Sequence, residues 1–329
     1  GEPVLEMFMT SISLAVAAIP EGLPAVVTIV LALGMQRMAK HNAIMKKLHA
    51  VETLGSTTVI CSDKTGTLTQ NQMTIVKMYV DNTEIDVQGE GYNPTGTLTI
   101  EGQESDLVQN PAIKRLLEIQ VLCNDARLEC DTTDGNAEWK IQGDPTEGAM
   151  VVVAQKAGIN QREINERKPR LQEIPFDSQR KLMTTFHALS ESELVAFTKG
   201  APDILIEKCT SMMRKDGTIS ELSEKDIEEI LKENTKLAGN AFRVLAMAFR
   251  LVDEVPKHPI PEEDEGNLVF CGLVGMIDPP RPEAIEAIKT CKEAGIRVAM
   301  ITGDYKDTAA AIAMQMGIIA SNDQVLAGS

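Results

Sequence analysis

The chain has 329 residues, 43% of them hydrophobic, a formal net charge of −16, three Tyr and one Trp. Its length suggests about two or three domains with sizeable cores, and an acidic chain poor in aromatic residues argues against a nucleic-acid partner. Six cysteines (61, 123, 130, 209, 271, 291) make no C-x-x-C pair, so they are expected to be reduced, buried thiols of a cytosolic compartment. The four histidines (41, 49, 187, 258) are scattered, which disfavours a zinc cluster.

In chain order, the first feature is an apolar run. From Met7 to Met35 the only charged residue is Glu21. A bilayer needs about 20 apolar helical residues, so one membrane-spanning helix is expected over residues 1–35. Arg37, Lys40, Lys46 and Lys47 follow it, which puts residues from about 36 onward in the cytoplasm. Inside the run, Ile19-Pro-Glu-Gly-Leu-Pro24 removes helix hydrogen bonds. A carboxylate at membrane depth is costly, and Glu21 beside freed carbonyls reads by default as an ion or proton site. Residues 36–56 continue as a basic amphipathic stalk, with Gly55 as its stop.

Next comes Val59-Ile-Cys-Ser-Asp-Lys-Thr-Gly-Thr-Leu-Thr69. A β-rich run ends at Asp63, and in a parallel sheet that edge opens on the ligand crevice. Thr65, Gly66, Thr67 and Thr69 offer N–H groups and hydroxyls to a phosphate, and a carboxylate can serve as a covalent nucleophile. After Thr74, strands are expected over 75–80 and 97–100, a hairpin at 89–94, and helices over 112–123 and 148–157. There is no G-x-x-x-x-G-K-[ST] loop. Four further segments stand out before the chain returns at Met276-Ile-Asp-Pro-Pro-Arg281. They are Gly143-Asp-Pro-Thr-Glu147, Pro175-Phe-Asp-Ser-Gln-Arg-Lys181 and Thr198-Lys-Gly-Ala-Pro-Asp203, followed by Arg243-Val-Leu-Ala-Met247. A helix over 282–294, a strand over 296–301, Thr302-Gly-Asp304 and a helix over 308–316 complete a second strand–turn–helix unit.

Ser62-Asp-Lys-Thr-Gly-Thr-Leu-Thr69 resembles the phosphorylation motif of the P-type ion-pumping ATPases, of the haloacid-dehalogenase-like superfamily. The order of the later motifs is similar to that family's inserted nucleotide-binding domain. Pro20-Glu-Gly-Leu-Pro24 is similar to the fourth transmembrane helix of its calcium-pump branch. The phosphatases of the superfamily carry an acid two positions after the nucleophile; here that position is Thr65, which favours a pump over a soluble aspartyl phosphatase. A non-catalytic nucleotide-binding module is the third reading.

The resemblance implies an α/β fold: an incomplete, doubly wound phosphorylation domain (57–74 and 277–329) with a large α+β nucleotide-binding insert (75–276). It implies ATP, Mg²⁺ and a transported cation, most simply Ca²⁺, in a multi-pass membrane protein. Asp63 would be the phosphorylated residue, with Lys64 neutralising charge and Thr302, Gly303 and Asp304 contacting the phosphoryl group. Asp63 and the Thr65 carbonyl would hold Mg²⁺. Phe176 would stack on adenine, Lys199 and Gly200 would line its pocket, Thr146 and Glu147 would lie at its edge, Lys181 would approach the phosphates and Arg243 would hold the β-phosphate. Asp278 and Arg281 join this nucleotide set from the stiff hinge. Glu21 with the carbonyls of Val16, Ala17 and Ile19 would bind the transported cation. A calcium pump of this branch has an arginine two residues after the phenylalanine. Here Ser178 stands there, so either Arg180 substitutes or one phosphate contact is missing. The family's later Gly-Asp-Gly-x-Asn-Asp motif, its actuator domain and its other membrane helices are not in the sequence, so a fragment of a larger pump is expected, with those parts as partners.

Overall fold

The computed structural model describes residues 3–20, 22–89, 91–104, 107–131, 137–190, 192–240, 242–303, 306–320 and 325–326. Glu21 and Asp304 lie outside the described residues. The chain divides into two compact units, residues 1–60 with 291–298 and residues 61–290 with 299–329.

In the first unit, α1 (Val4–Ala17) and α2 (Gly22–Lys40) lie on either side of Pro20, with Pro24 in the first turn of α2, and α3 (Leu48–Gly55) follows. An 18-residue stretch within Val4–Lys40 has a mean hydropathy of 2.0 and is not buried, so by length and composition the span is suited to crossing a membrane. The break has a local cause. Pro20 has no N–H for the Val16 carbonyl, which accepts from the Ile19 N–H instead, at 3.1 Å. Pro24 likewise cannot serve the Pro20 carbonyl, which accepts from the Leu23 N–H at 3.0 Å. Residues 36–56 hold the end of α2 and all of α3, which stops at Gly55 as expected, and Asn42 adopts a left-handed φ of 61° between the two helices. Gly34 gives Val51 of α3 room to approach α2.

The second unit is built on an eleven-stranded, mostly antiparallel sheet. β1 (Val59–Asp63) precedes it in the chain. The sheet's strands are β2 (Thr74–Val80), β3 (Thr83–Val87), β4 (Leu98–Ile100), β5 (Gln103–Glu104), β8 (Arg170–Ile174), β9 (Leu182–Ala188), β10 (Leu194–Gly200), β11 (Cys209–Met213), β12 (Ile219–Glu221), β13 (Arg243–Val252) and β14 (Leu268–Ile277); the hairpin β6 (Arg127–Asp131) with β7 (Glu138–Gln142) stands apart. Their order is β5-β4-β3-β2-β14-β13-β10-β9-β8, with β11 on β14 and β12 on β11. β15 (Arg297–Ile301) pairs with β1.

Helices cover both faces of the large sheet. α4 (Pro111–Leu122) and α5 (Pro145–Lys156) bury Ile113, Leu117, Met150 and Val153 against Met78, Phe197, Met247 and Val274. On the other face α7 (Pro202–Glu207) and α8 (Glu224–Gly239) bury Leu205 and Ile230 with Ala246, Ala248 and Phe270. Burial on both faces explains why β13 and β14 read as continuous apolar runs rather than alternating ones. The helices begin where their caps dictate. Asn110 accepts from the N–H groups of Ala112 and Ile113, and Asp144 from those of Thr146 and Glu147, each just before a proline at the first turn. α5 therefore starts at Pro145, three residues before the expected start, and carries Thr146 and Glu147 in its first turn. α6 (Gln161–Arg167) and α9 (Pro261–Asp264) are short; α10 (Pro282–Glu293) and α11 (Lys306–Gln315) flank β15 in the chain.

The cysteines are free, but only Cys123 and Cys271 are buried; Cys61 and Cys130 are exposed. The expectation of buried thiols fails there because β1 and the β6–β7 hairpin expose most of their residues.

Candidate functional site

Asp63 ends β1 and is exposed. The loop that follows bends sharply through Thr65 (ψ 123°) and Gly66 (φ 70°), a left-handed conformation that glycine adopts without strain. One Asp63 oxygen, Oδ1, accepts from the Thr65 N–H at 3.3 Å. Thr69 closes the loop from below: its N–H and Oγ1 both bond the Lys64 carbonyl, at 3.0 and 3.1 Å. Thr69 is fully buried and Lys64 nearly so.

This loop is strapped to the returning chain. Thr69 Oγ1 donates to Asp278 Oδ2 at 2.6 Å, and Asp278 Oδ1 accepts from the Gln72 N–H at 3.2 Å. Arg281 Nε donates to the Thr69 carbonyl at 3.0 Å, and the backbone pairs Gln70 with Pro279 and Arg281 with Leu68. Asp278 and Arg281 thus join the two crossings between the Asp63 loop and the sheet. A cavity of 420 Å³ beside the strap is lined by Lys64, Arg243, Asp278 and Gly303, among others.

A second cavity, of 510 Å³, collects residues from four distant segments: Asp144, Thr146, Glu147 and Met150; Phe176 and Lys181; Lys199, Gly200 and Ala201; Arg243, Val244 and Leu245. Its size falls within the range of about 300–1,000 Å³ usual for ligand pockets. Lys199 Nζ bonds Glu147 Oε1 at 2.5 Å, with the lysine side chain 7% and the glutamate 16% exposed. Glu147 Oε2 accepts from the Asp125 N–H at 3.0 Å, and Arg243 Nη1 donates to Thr146 Oγ1 at 2.8 Å. Phe176 stands 62% exposed at the mouth. Beneath the cavity, burial pushes the Cys123 thiol up while Lys199 pulls it the other way.

Of the sequence-predicted nucleotide set, Thr146, Glu147, Phe176, Lys181, Lys199, Gly200 and Arg243 share this cavity. Arg180 is turned elsewhere: Nη1 donates to Glu265 Oε1 at 2.5 Å and Nη2 to the Pro175 carbonyl at 2.6 Å. Met150 lines the cavity without a sequence signal beyond that of an ordinary core residue, while Val244 and Leu245 come with the segment that Arg243 opens. Two larger depressions, of 670 and 790 Å³, hold none of the motif residues. The first is walled by surface charges paired with one another, such as Arg162 with Glu166 and Arg170 with Asp125.

For a hard divalent cation at the Asp63 loop, the chain offers the exposed carboxylate and the Thr65 carbonyl. No cluster of three or more His, Cys, Asp or Glu occurs among the described residues. Two oxygens are a fitting but partial set for Mg²⁺, which takes about six and keeps several waters.

The sequence profile of a family described as "P-type ATPase, cytoplasmic domain N" matches residues 112–283. The chain belongs to the P-type ATPases. The match covers α4 to the start of α10, and with it all four segments around the second cavity. Similar proteins include a cation-transporting ATPase, pma1, of Synechocystis sp., 47% identical over 99% of this chain and 35% of that protein. Calcium-transporting ATPase 1 of Bacillus cereus is 46% identical over 99% of this chain and 33% of its own length. The calcium-transporting ATPase of Bacillus subtilis is 41% identical over 100% of the chain and 36% of its own length. The chain spans about a third of the length of these curated relatives.

Proposed function

We propose that the chain is the phosphorylation and nucleotide-binding portion of an ATP-driven membrane pump, with Ca²⁺ as the transported ion. The observation that carries this reading is the convergence of residues from segments around 146, 176, 199 and 243 on one cavity. The names of the two calcium-transporting relatives, at 46% and 41% identity, support Ca²⁺ as the cargo.

The assignment of parts follows. Residues 1–35 cross the membrane and 36–56 form the stalk. Residues 57–74 with 277–329 make up the doubly wound phosphorylation domain, and 75–276 hold ATP. Adenine stacks on Phe176, Lys199 and Gly200 line its slot, and Arg243 and Lys181 face the phosphates. An Asp63 carboxylate oxygen attacks the γ-phosphorus in line. The new bond is an acyl-phosphate, the bond to the β–γ bridging oxygen breaks, and ADP leaves with that electron pair. Lys64 offsets the charge that builds on the phosphoryl oxygens, and Thr302, Gly303 and Asp304 contact the transferred phosphoryl group. Mg²⁺ held by Asp63 and the Thr65 carbonyl would add further charge neutralisation. Thr65 in place of an acid leaves no group to protonate a leaving alkoxide, which suits ADP, a good leaving group. In the membrane, Glu21 and the carbonyls of Val16, Ala17 and Ile19 receive the cation.

The test is labelling of the full-length protein with γ-³²P-ATP, with and without Ca²⁺. The expected product is Ca²⁺-dependent, acid-stable, hydroxylamine-sensitive and lost in Asp63→Asn. Label that survives Asp63→Asn refutes the assignment.

A further inference from the structure

Glu265 is fully buried, in the connection between β13 and β14, and belongs to none of the motifs above. Its Oε1 accepts from Arg180 Nη1 at 2.5 Å and from Thr184 Oγ1 at 2.8 Å. Thr184 in turn meets Thr198 Oγ1 at 2.9 Å, its register partner across β9 and β10. Side chains alternate along a strand, so Thr198 points away from the face that Lys199 offers to the cavity. Glu265 thus reaches the cavity-forming strands from behind.

The bridge continues to the cavity through Arg180. While Nη1 holds Glu265, Nη2 donates to the Pro175 carbonyl at 2.6 Å, the peptide that leads directly into Phe176. The rest of the loop has its own anchors. Asp177 Oδ1 accepts from the N–H groups of Gln179 and Arg180, and the Arg180 N–H holds that carboxylate below the usual range. Lys181, at a left-handed φ of 55°, donates its N–H to the Asp177 carbonyl and accepts from the Ala201 N–H. Only the Pro175–Phe176 side therefore depends on Arg180.

A buried ion pair is seldom more stabilising than apolar residues of the same volume. Glu265 is not even saturated, since its Oε2 has no hydrogen-bond partner among the described residues. Stability alone does not account for the pair. What apolar residues could not do is aim a guanidinium at the Pro175 carbonyl. We infer that Glu265 and Arg180 are positioning residues that fix the Phe176 ring over the adenine slot, and that Arg180 is not a phosphate ligand. This rests on the reading of the 510 Å³ cavity as the ATP site.

The experiment is calorimetric titration of the detergent-solubilised chain with ATP and, separately, with inorganic tripolyphosphate, alongside thermal unfolding. Arg180→Ala should weaken ATP by about tenfold, the scale of one lost charge-assisted anchor, and leave tripolyphosphate unchanged. In a Phe176→Ala background the same change should cost less than about twofold, because its route is already gone. Arg180→Lys keeps the charge facing Glu265 but cannot also hold the Pro175 carbonyl. It should unfold at the wild-type temperature and still bind ATP poorly. Glu265→Gln, which keeps the acceptor, should fall between wild type and Arg180→Ala. Equal losses for ATP and tripolyphosphate would make Arg180 a phosphate ligand and overturn the inference. So would wild-type ATP affinity in Arg180→Lys, or losses that multiply in the Phe176→Ala background. A Phe176→Ala chain that binds ATP like wild type overturns the pocket reading itself, and the inference with it.

Discussion

Removing the Glu147 carboxylate should cost far more than removing both members of its pair with Lys199. The Lys199 side chain is 7% exposed and Glu147 is the carboxylate bonded to its ammonium, at 2.5 Å. Glu147→Ala strands that ammonium where water barely reaches, at a cost of about 3 kcal/mol, the lower end for a broken buried pair. It also releases the Asp125 N–H, which Glu147 Oε2 accepts. For a cooperative unit of about 200 residues, a loss of that size lowers the unfolding temperature by roughly 6–12 °C. Lys199→Met should cost less, about 1–2 kcal/mol, because Glu147 keeps the Asp125 amide and can regain water. The double change Glu147→Leu with Lys199→Met should return to within about 1 kcal/mol of wild type, since apolar residues replace a buried pair at little cost. Differential scanning calorimetry or urea unfolding of the chain reads all three. A double variant as unstable as Glu147→Ala, or a Glu147→Ala chain that melts with wild type, refutes the account of a desolvated pair.

Other expected outcomes follow from single positions. His187 is buried between the Lys168 carbonyl and Thr185 Oγ1, and burial depresses its pKa from 6.5 to about 4. The folded state therefore binds fewer protons, so its contribution is full above pH 6.5 and fades as pH falls toward 4, by about 3 kcal/mol in all; His187→Gln should flatten that slope in pH-dependent urea melts. A Cβ on Gly200 would lie 2.2 Å from the Lys181 carbonyl oxygen and 2.5 Å from Leu182 Cδ2. Gly200→Ala should thus cost about 1–3 kcal/mol and weaken ATP binding, and unchanged calorimetric affinity would count against the cavity assignment. Asp278→Ala removes the acceptor for Thr69 Oγ1 and the Gln72 N–H. It should cost about 2 kcal/mol and speed hydrogen exchange at the Gln72 amide, and unchanged protection there would show that the strap is held by backbone alone.

The parts legible in the sequence were those whose cause is local. The strand into Asp63, the glycine turn after it and the proline break near Ile19 each follow from residues within a few positions. The apolar run marks α5 from 148, but the helix begins at Pro145 because Asp144 caps it three residues ahead of that run. Within the stalk, the tolerance of Asn42 for positive φ is the local signal that marks the break between α2 and α3. β13 escaped notice as a strand because both its faces are buried, which erases the alternation a strand usually shows. The long-range partners were invisible. Thr69 and Asp278 meet across 209 residues, and Arg180 and Glu265 across 85. Nothing in the immediate neighbourhood of Ser178 and Arg180 shows that the guanidinium turns away from the cavity, because the carboxylate that draws it is supplied by another strand connection.

Thr74 and Ile277 face each other as register partners where β2 and β14 begin and end the excursion from Asp63. A segment that departs and returns through one pair of strands behaves as a cassette. Its closure entropy grows only with the logarithm of its length, so what is threaded between those two positions can be enlarged, trimmed or exchanged with little effect on the loop that holds Asp63. Descent can therefore retune what the segment captures, and how tightly, on one stretch of the gene while Asp63 and its loop are inherited untouched on another.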